Sequence, residues 1–383
     1  MNEILVTGDI YLGAQKVEEL AEQGEVQQLF GDFLPIIQDC AFSITNLECP
    51  TTDVGSTILK TGPILKASPK SLSALKKAGF NLLTMANNHI LDYGQEGLKK
   101  TTNECDKLNI NYVGVGKSLN DARKAFNFDL NNQKIAILNI SENEFSTTQG
   151  EYWGANPMDP INNSYDIKNA KINNDKVIVI VHGGREHYNL PSPNFQKTLR
   201  FYVDCGADAV IAHHTHCVSG YENYNQAPIF YGLGNFLFKK PNNPRKPLWN
   251  KGLAVKLIIK ENVIDFRLIP YIQGHQESPM IEVMQGKKKD DFLNDLDKLN
   301  DIITDEVILS EHWKNYIKTQ HKYYKNKLFI NNKWLQKFSG RNIIPFRFLT
   351  NKEHYTFVTN LIKCETHREI LIDSLEKDKK STL

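Results

Sequence analysis

Ala209-Val210-Ile211-Ala212-His213-His214-Thr215-His216 is the stretch on which the reading of this chain turns. Its apolar, β-branched start reads as a buried strand. The H-x-H pair directly after it can send two imidazoles towards neighbouring cations. Of the eleven histidines in the sequence, six fall between His89 and His216 in segments of this kind. Adjacent unpaired imidazoles are costly to bury, so scattered core histidines explain them poorly.

Four other segments place a metal-type ligand beside a turn: Gly8-Asp9, Asn46-Leu47-Glu48, Asn87-Asn88-His89 and His182-Gly183-Gly184. Apolar runs precede several of them, Ile4-Leu5-Val6 and Val177 to Val181 being the clearest. In an open α/β sheet ligands collect where strands end, so these side chains can converge on one crevice. Gly8 permits a tight turn at Asp9, although turns also favour Asp for local hydrogen bonds. Glu48, with Pro50 shortly after, can bridge two cations or stand as an ordinary solvated acid. Asn88 offers a neutral carbonyl oxygen, and His89 can donate a proton to a leaving group with Asp92 fixing its tautomer. A bare Asx-turn would also account for that segment. His182 ends an uninterrupted strand-like run, while Arg185 and Glu186 contact either substrate or each other. Carboxylates, an amide oxygen and imidazoles together suit Mn, Fe or Zn better than Ca. Two such cations a few Å apart can clamp an in-line phosphoryl displacement.

The bulk properties set the frame. At 383 residues with 40% hydrophobic and 23% charged residues, the chain can bury a substantial core. A formal net charge of +2 gives no global bias towards nucleic acid or anionic membrane, and nucleic acid is not expected as a partner. The sequence enters a strand-like run at once and offers no long apolar window, so a cytoplasmic protein without a transmembrane segment is expected. The six cysteines form no C-x-x-C pair and read as free, mostly buried thiols.

Strand-like and helix-like segments alternate to about residue 240, which argues for a layered α/β fold. Ser68-Pro69 marks a helix start, Gln95 to Leu108 and Gln196 to Cys205 read as helices, and the Asn-rich stretch before Val177 reads as a disordered turn. Ile229 to Tyr231 and Leu253 to Ile259 look like an antiparallel meander. Composition shifts at Lys287-Lys288-Lys289, after which the pattern is helical and polar. Residues 311 to 352 hold ten Lys or Arg against one acid, Glu311, interleaved with Trp313, Tyr316, Tyr323, Tyr324, Trp334 and Phe338.

Taken in order, Gly-Asp-Ile from 8, Asn-Leu-Glu from 46, Asn-Asn-His-Ile-Leu-Asp-Tyr-Gly from 87, His-Gly-Gly-Arg-Glu-His-Tyr from 182, the 206 to 216 segment and Tyr-Gly-Leu-Gly-Asn-Phe from 231 resemble the CapA family. These are poly-γ-glutamate capsule proteins, a branch of the calcineurin-like metallophosphoesterases. The resemblance implies a four-layer α-β-β-α sandwich over residues 1–270, followed by a mainly helical, basic and aromatic extension over 271–383. It also implies a two-metal centre in which Asp9 and Glu48 are shared ligands. Asn88, His182 and His214 would hold one ion and His216 the other. His89 would be the general acid with Asp92 as its partner. Arg185, Glu186, His213 and Asn235 are assigned to substrate, Gly234-Asn235 shaping the pocket rim. The chain departs from the wider phosphoesterase pattern at Tyr11, where a histidine is usual.

Two functions follow as expectations. One is a metal-dependent, phosphoesterase-like hydrolase linked to surface polymer metabolism, acting on a phosphorylated or polyanionic substrate. The other is a non-hydrolytic binding or assembly factor for an anionic polymer such as poly-γ-glutamate, with contact through 311–352.

Overall fold

The computed structural model describes residues 2–238, 247–274, 278–328 and 351–381. In chain order its strands are β1 (Glu3–Tyr11), β2 (Phe42–Leu47), β3 (Leu82–Thr84), β4 (Asn111–Val113), β5 (Val115–Gly116), β6 (Phe126–Leu130), β7 (Gln133–Ser141) and β8 (Gly154–Ala155). They continue with β9 (Lys176–His182), β10 (Ala209–His213), β11 (Tyr221–Tyr224), β12 (Ala227–Phe230), β13 (Asn235–Phe238), β14 (Lys251–Ile259), β15 (Ile264–Gln273) and β16 (Ile281–Val283). One sheet runs β16-β15-β14-β1-β2-β3-β4, with β13 also pairing β1; the second runs β11-β12-β10-β9-β7-β6. Within the first, β1 to β4 are parallel, as are β7, β9, β10 and β12 in the second. The protein is thus a mixed α/β structure with two large sheets.

Strand alternation explains how the sheets pack. Ile4 and Val6 of β1 share an apolar cluster with Ile178 and Ile180 of β9 and Ile211 of β10, so one face of each sheet meets the other. Leu5 turns the opposite way, into a cluster with Leu20, Leu29, Leu75 and Leu98 from the helices flanking the first sheet. Val177, Val179 and Val181 likewise turn towards Leu199 and Tyr202 of helix Pro193–Asp204. All five residues from Val177 to Val181 are fully buried. At roughly 1.5–3 kcal/mol for each buried Val or Ile side chain, this strand alone is a major source of stability.

Several sequence readings hold locally. Ser68 caps the segment at Pro69, its side chain accepting from the Lys70 amide at 3.3 Å. Helices Gly94–Leu108 and Pro193–Asp204 lie where periodicity put them. All six cysteines are free.

Others are corrected. The Asn-rich stretch before Val177 is helix Pro160–Asn173, capped by Asp159, whose carboxylate accepts from the Ile161 and Asn162 amides. A cap and a first-turn proline outweigh the poor helix propensity of its asparagines. The expected meander is split between sheets: β12 pairs parallel to β10, whereas β14 pairs antiparallel to β1. The division at residue 270 falls inside β15, which stays in the first sheet and pairs with β16. The helical segment begins instead at Gly286–Thr304, next to the Lys287 composition shift, and it buries Phe292 and Leu296 against the inter-sheet cluster.

Further on, Trp313, Ile317 and Tyr324 of helix Glu306–Leu328 are buried with Leu361 and Ile370 from helices Lys352–Lys363 and Glu365–Ser381. Trp334 and Phe338 of the basic stretch lie outside the described residues. No described helix is long and apolar enough to cross a membrane.

The last helix docks on the body through Ser192, whose hydroxyl donates to Glu369 at 2.7 Å. Burial lifts the Glu369 carboxyl from 4.5 to about 7; the Ser192 bond opposes this and the Asp373 carboxylate adds to it. A raised carboxyl pKa stabilises the docked state most below pH 4.5, and that contribution is lost as pH rises through about 7. Amide exchange in Glu365–Ser381, corrected for its intrinsic rate, should therefore speed up between about pH 5 and pH 8. Glu369→Gln should flatten that dependence; an unchanged slope in the variant would refute the assignment.

Candidate metal centre

β1 and β2 run parallel and end on the same edge, with β3 beside β2. β9 and β10 end together in the second sheet, where His213 pairs with His182. The residues that follow each strand end therefore face a common edge.

Asp9 reaches that edge from within a strand, not from a turn as Gly8 suggested. β1 continues to Tyr11, and its pairing with β2 and β13 is irregular on both sides of Asp9. Such a bulge re-aims a side chain. Gly8 serves close approach: a Cβ there would sit 2.0 Å from the Gly234 carbonyl oxygen. The Asp9 amide donates to that same oxygen at 3.2 Å. His214 and His216 have φ of 84° and 52°, in the left-handed region that side chains rarely occupy. Two such residues in one four-residue turn are strain of the kind kept at working sites.

The donors form two groups sharing one carboxylate. In the first, Glu48, His182 and His214 each offer an atom within 4.8 Å of the others. His182 Nε2 lies 3.0 Å from His214 Nδ1, 3.2 Å from Asn88 Oδ1 and 3.7 Å from Glu48 Oε1. In the second, Asp9, Glu48 and His216 meet the same limit, with His216 Nε2 3.6 Å from Glu48 Oε1. Glu48 is common to both groups, while Asp9 groups with His216; a bridging role for both carboxylates was expected.

One proton on His182 Nε2 cannot serve three surrounding acceptors. Donors bound at about 2.0–2.2 Å to a common ion lie roughly 3–3.6 Å apart, close to these separations. The chemistry of the set, carboxylate and amide oxygens with imidazole nitrogens, fits a divalent transition ion.

The electrostatics agree. Burial lifts Asp9 to about 7 against the hydrogen bonds it accepts from Asn46 and the His214 amide. Burial, then the His214, His213 and His216 imidazoles, push His182 well below its ordinary 6.5, leaving it neutral as a ligand must be. Asn46 donates to Asp9 Oδ1 at 2.8 Å, and Asn87 ties the loop to the Leu47 carbonyl at 2.8 Å.

His89 and Asp92 lie beside this cluster. His89 Nδ1 is 2.7 Å from Asp92 Oδ2, which directs Nε2 outward as the free ring nitrogen. Sequence reading missed the third member, Lys60, from a loop with no pattern of its own. Its Nζ lies 2.6 Å from Asp92 Oδ1 and 3.1 Å from His89 Nδ1, and the pair is buried. Burial and then the Lys60 charge lower the His89 pKa, against the pull of Asp92.

The remaining assignments separate. Arg185 and Glu186 line a cavity of about 560 Å³ together with Asn88, His89, His214 and Lys60. The Arg185 Nε donates to the Tyr316 hydroxyl at 2.7 Å. His213 does not reach the cavity. Its Nε2 is 3.0 Å from the Thr7 carbonyl, where it ties the sheets together, and burial drops its pKa to about 4. Strand alternation decides this, because neighbours in a strand face opposite sides. Asn235 sits behind His216, its Oδ1 2.9 Å from Nδ1, and orients that ring instead of contacting the cavity. Tyr11, at the usual histidine position, packs on Phe238 with centroids 5.3 Å apart. Glu142, Glu144 and His367 also line the cavity and carried no motif signal.

A buried, histidine-rich cluster at the ends of parallel strands, with one carboxylate common to two donor groups, defines a candidate metal centre. The family model of the bacterial capsule synthesis protein PGA_cap matches residues 3–240, and this chain belongs to that family. The PGA biosynthesis protein CapA of Bacillus subtilis (strain 168) is 34% identical over 239 residues, covering 60% of this chain and 62% of that protein. The capsule biosynthesis protein CapA of Bacillus anthracis is 30% identical over 244 residues, covering 61% and 59%. The match thus spans about three fifths of each relative. Among solved structures, a hypothetical protein from Thermus thermophilus aligns over 74% of this chain and all of its own, at 15% identity and a TM-score of 0.44.

Two measurements test the centre. Elemental analysis of protein purified without chelator should show Glu48→Gln short of two ions relative to wild type and His216→Ala short of one. Equal metal content in all three would exclude the shared carboxylate. Lys60→Met should cost about 3–5 kcal/mol in urea denaturation, because it leaves Asp92 buried without its cation. A loss below about 1 kcal/mol would show that the pair carries little weight.

Proposed function

We propose that the chain is a metal-dependent, phosphoesterase-like hydrolase whose two-metal centre is formed by Asp9, Glu48, Asn88, His182, His214 and His216. The supporting observation is Glu48, one carboxylate belonging to two ligand groups drawn from both sheets. On this reading the two sheets with helices on their outer faces are the four-layer α-β-β-α sandwich of the metallophosphoesterases. Mn, Fe or Zn ions bound there would supply Lewis-acid polarisation of a phosphoryl oxygen and activation of water.

The chain's own groups do the rest. His89 exchanges a proton with the leaving group through Nε2, while Asp92 and Lys60 hold its Nδ1 side. Arg185 is a cationic side chain on the cavity wall that can meet a phosphorylated or polyanionic substrate. The same wall carries Glu142, Glu144 and Glu186, so a polyanion enters favourably only with the ions in place.

A second reading rests on the relatives. The matched proteins are named for biosynthesis, and one of Mycobacterium tuberculosis (strain CDC 1551 / Oshkosh), 27% identical over 222 residues, is a probable polyglutamine synthesis accessory protein. On that reading the cluster binds or organises an anionic polymer such as poly-γ-glutamate, with lysines of the basic stretch adding contact. Of its described aromatic residues, Trp313 and Tyr324 are buried and contribute no stacking surface.

The decisive experiment is turnover by metal-replete protein on phosphomonoesters, phosphodiesters and poly-γ-glutamate. Asp9→Asn and His214→Ala are expected to lower kcat/KM by about 100-fold or more with the circular dichroism spectrum unchanged. No turnover by wild type, combined with salt-sensitive retention of poly-γ-glutamate, would transfer the assignment to the assembly factor.

A further inference from the structure

Glu144, Cys364 and His367 each present a ligand atom within 4.8 Å of the other two. None of them belongs to the cluster above, and the last two lie beyond the family match at residues 3–240. We propose that these three residues form a further site for a borderline divalent ion such as zinc, which joins the C-terminal helices to the edge of the second sheet.

The fold brings them together from distant parts of the chain. Glu144 follows β7, Cys364 closes helix Lys352–Lys363, and His367 stands in the first turn of helix Glu365–Ser381. Cys364-Glu365-Thr366-His367 is a C-x-x-H spacing at a helix start, which sets both ligands on one side of the turn. His367 Nε2 lies 3.3 Å from Glu144 Oε1, and its Nδ1 is 2.6 Å from the Tyr324 hydroxyl. A ligating imidazole held through its other nitrogen is the usual way to fix tautomer and ring plane.

The junction is organised before any ion binds. Asn143 contacts both Glu365 oxygens, its amide at 3.1 Å and its side-chain nitrogen at 2.7 Å, and Thr366 donates to Glu142. Cys364 Sγ is 3.9 Å from Glu142 Oε2. The Glu142, Glu144 and Glu365 side chains gather around the Cys364 thiol, and burial followed by their charge raises its pKa. A bound cation offsets that accumulation and makes a thiolate tenable.

Sulfur, nitrogen and oxygen donors in one set select zinc, iron or cobalt over magnesium or calcium. Three protein ligands leave a position open, and all three residues line the cavity that also holds His214. An ion here would hold the C-terminal segment closed over that cavity.

Cobalt(II) is the probe, because the main cluster contains only oxygen and nitrogen donors. Cobalt-loaded full-length protein should show a thiolate-to-cobalt charge-transfer band in the near ultraviolet. Cys364→Ser should abolish it, Tyr324→Phe should weaken cobalt binding at this site by about tenfold or more, and His214→Ala should leave the band in place. A wild-type protein without the band overturns the proposal. So does a band that survives Cys364→Ser, since Cys49 or Cys217 beside the main cluster would then be its source. Because His214→Ala removes a donor of the main centre alone, failure of that centre and failure of this site give different spectra.

Discussion

Two carboxylates, Asp9 and Glu48, are fully buried at the edge where the two sheets meet. Taking a carboxylate out of water costs several kcal/mol even after relaxation, and the same burial lowers the pKa of His182 and His214 beside them. The surrounding core offsets that cost. The five buried Val and Ile residues of β9 alone contribute roughly 1.5–3 kcal/mol each. On the proposed two-metal reading, cations at its centre would make the cluster tenable, and its geometry suits that role. β1 is bulged at Asp9, Gly8 admits the Gly234 carbonyl, and two histidines adopt left-handed backbone to aim at one point.

The same logic of buried charge extends outward. Lys60 and Asp92 form a buried ion pair that holds His89 from behind. Asn235 and Asn46 hold His216 and Asp9 by hydrogen bonds, so the donors are fixed by neutral amides that add no charge. Beyond them the C-terminal helices bring Tyr324, Cys364 and His367 onto the cavity wall. Residues inside the family match thus line one part of the cavity, and residues beyond it line another.

Much of this was legible from residue order because strands and their terminal ligands are local. An apolar run followed by His182 or by His213 to His216 signals a strand end whatever its neighbours are. The helix Pro160–Asn173 was missed, because its asparagines hid the start that Asp159 and Pro160 mark. Lys60, Glu142 and Glu144 could not be found this way. Lys60 lies in a loop without periodicity, and an isolated acid or lysine in a sequence is normally solvated. His213 was assigned to substrate and His214 to a metal, and only strand alternation turns His213 to the Thr7 carbonyl and away from the cavity that His214 lines.

Residue order by itself determined the α/β class, the positions of the buried strands and which residue types wait at their ends, because those depend on hydrophobic periodicity and turn chemistry over a few residues. Tertiary structure alone decided which carboxylate stands in both donor groups, which histidine turns away, and which C-terminal side chains line the cavity. Those outcomes depend on the register between strands far apart in the chain, on a bulge at Asp9, and on how helices pack. The physical reason is that a side chain's direction is set by its partners across the sheet, which lie tens to hundreds of residues away.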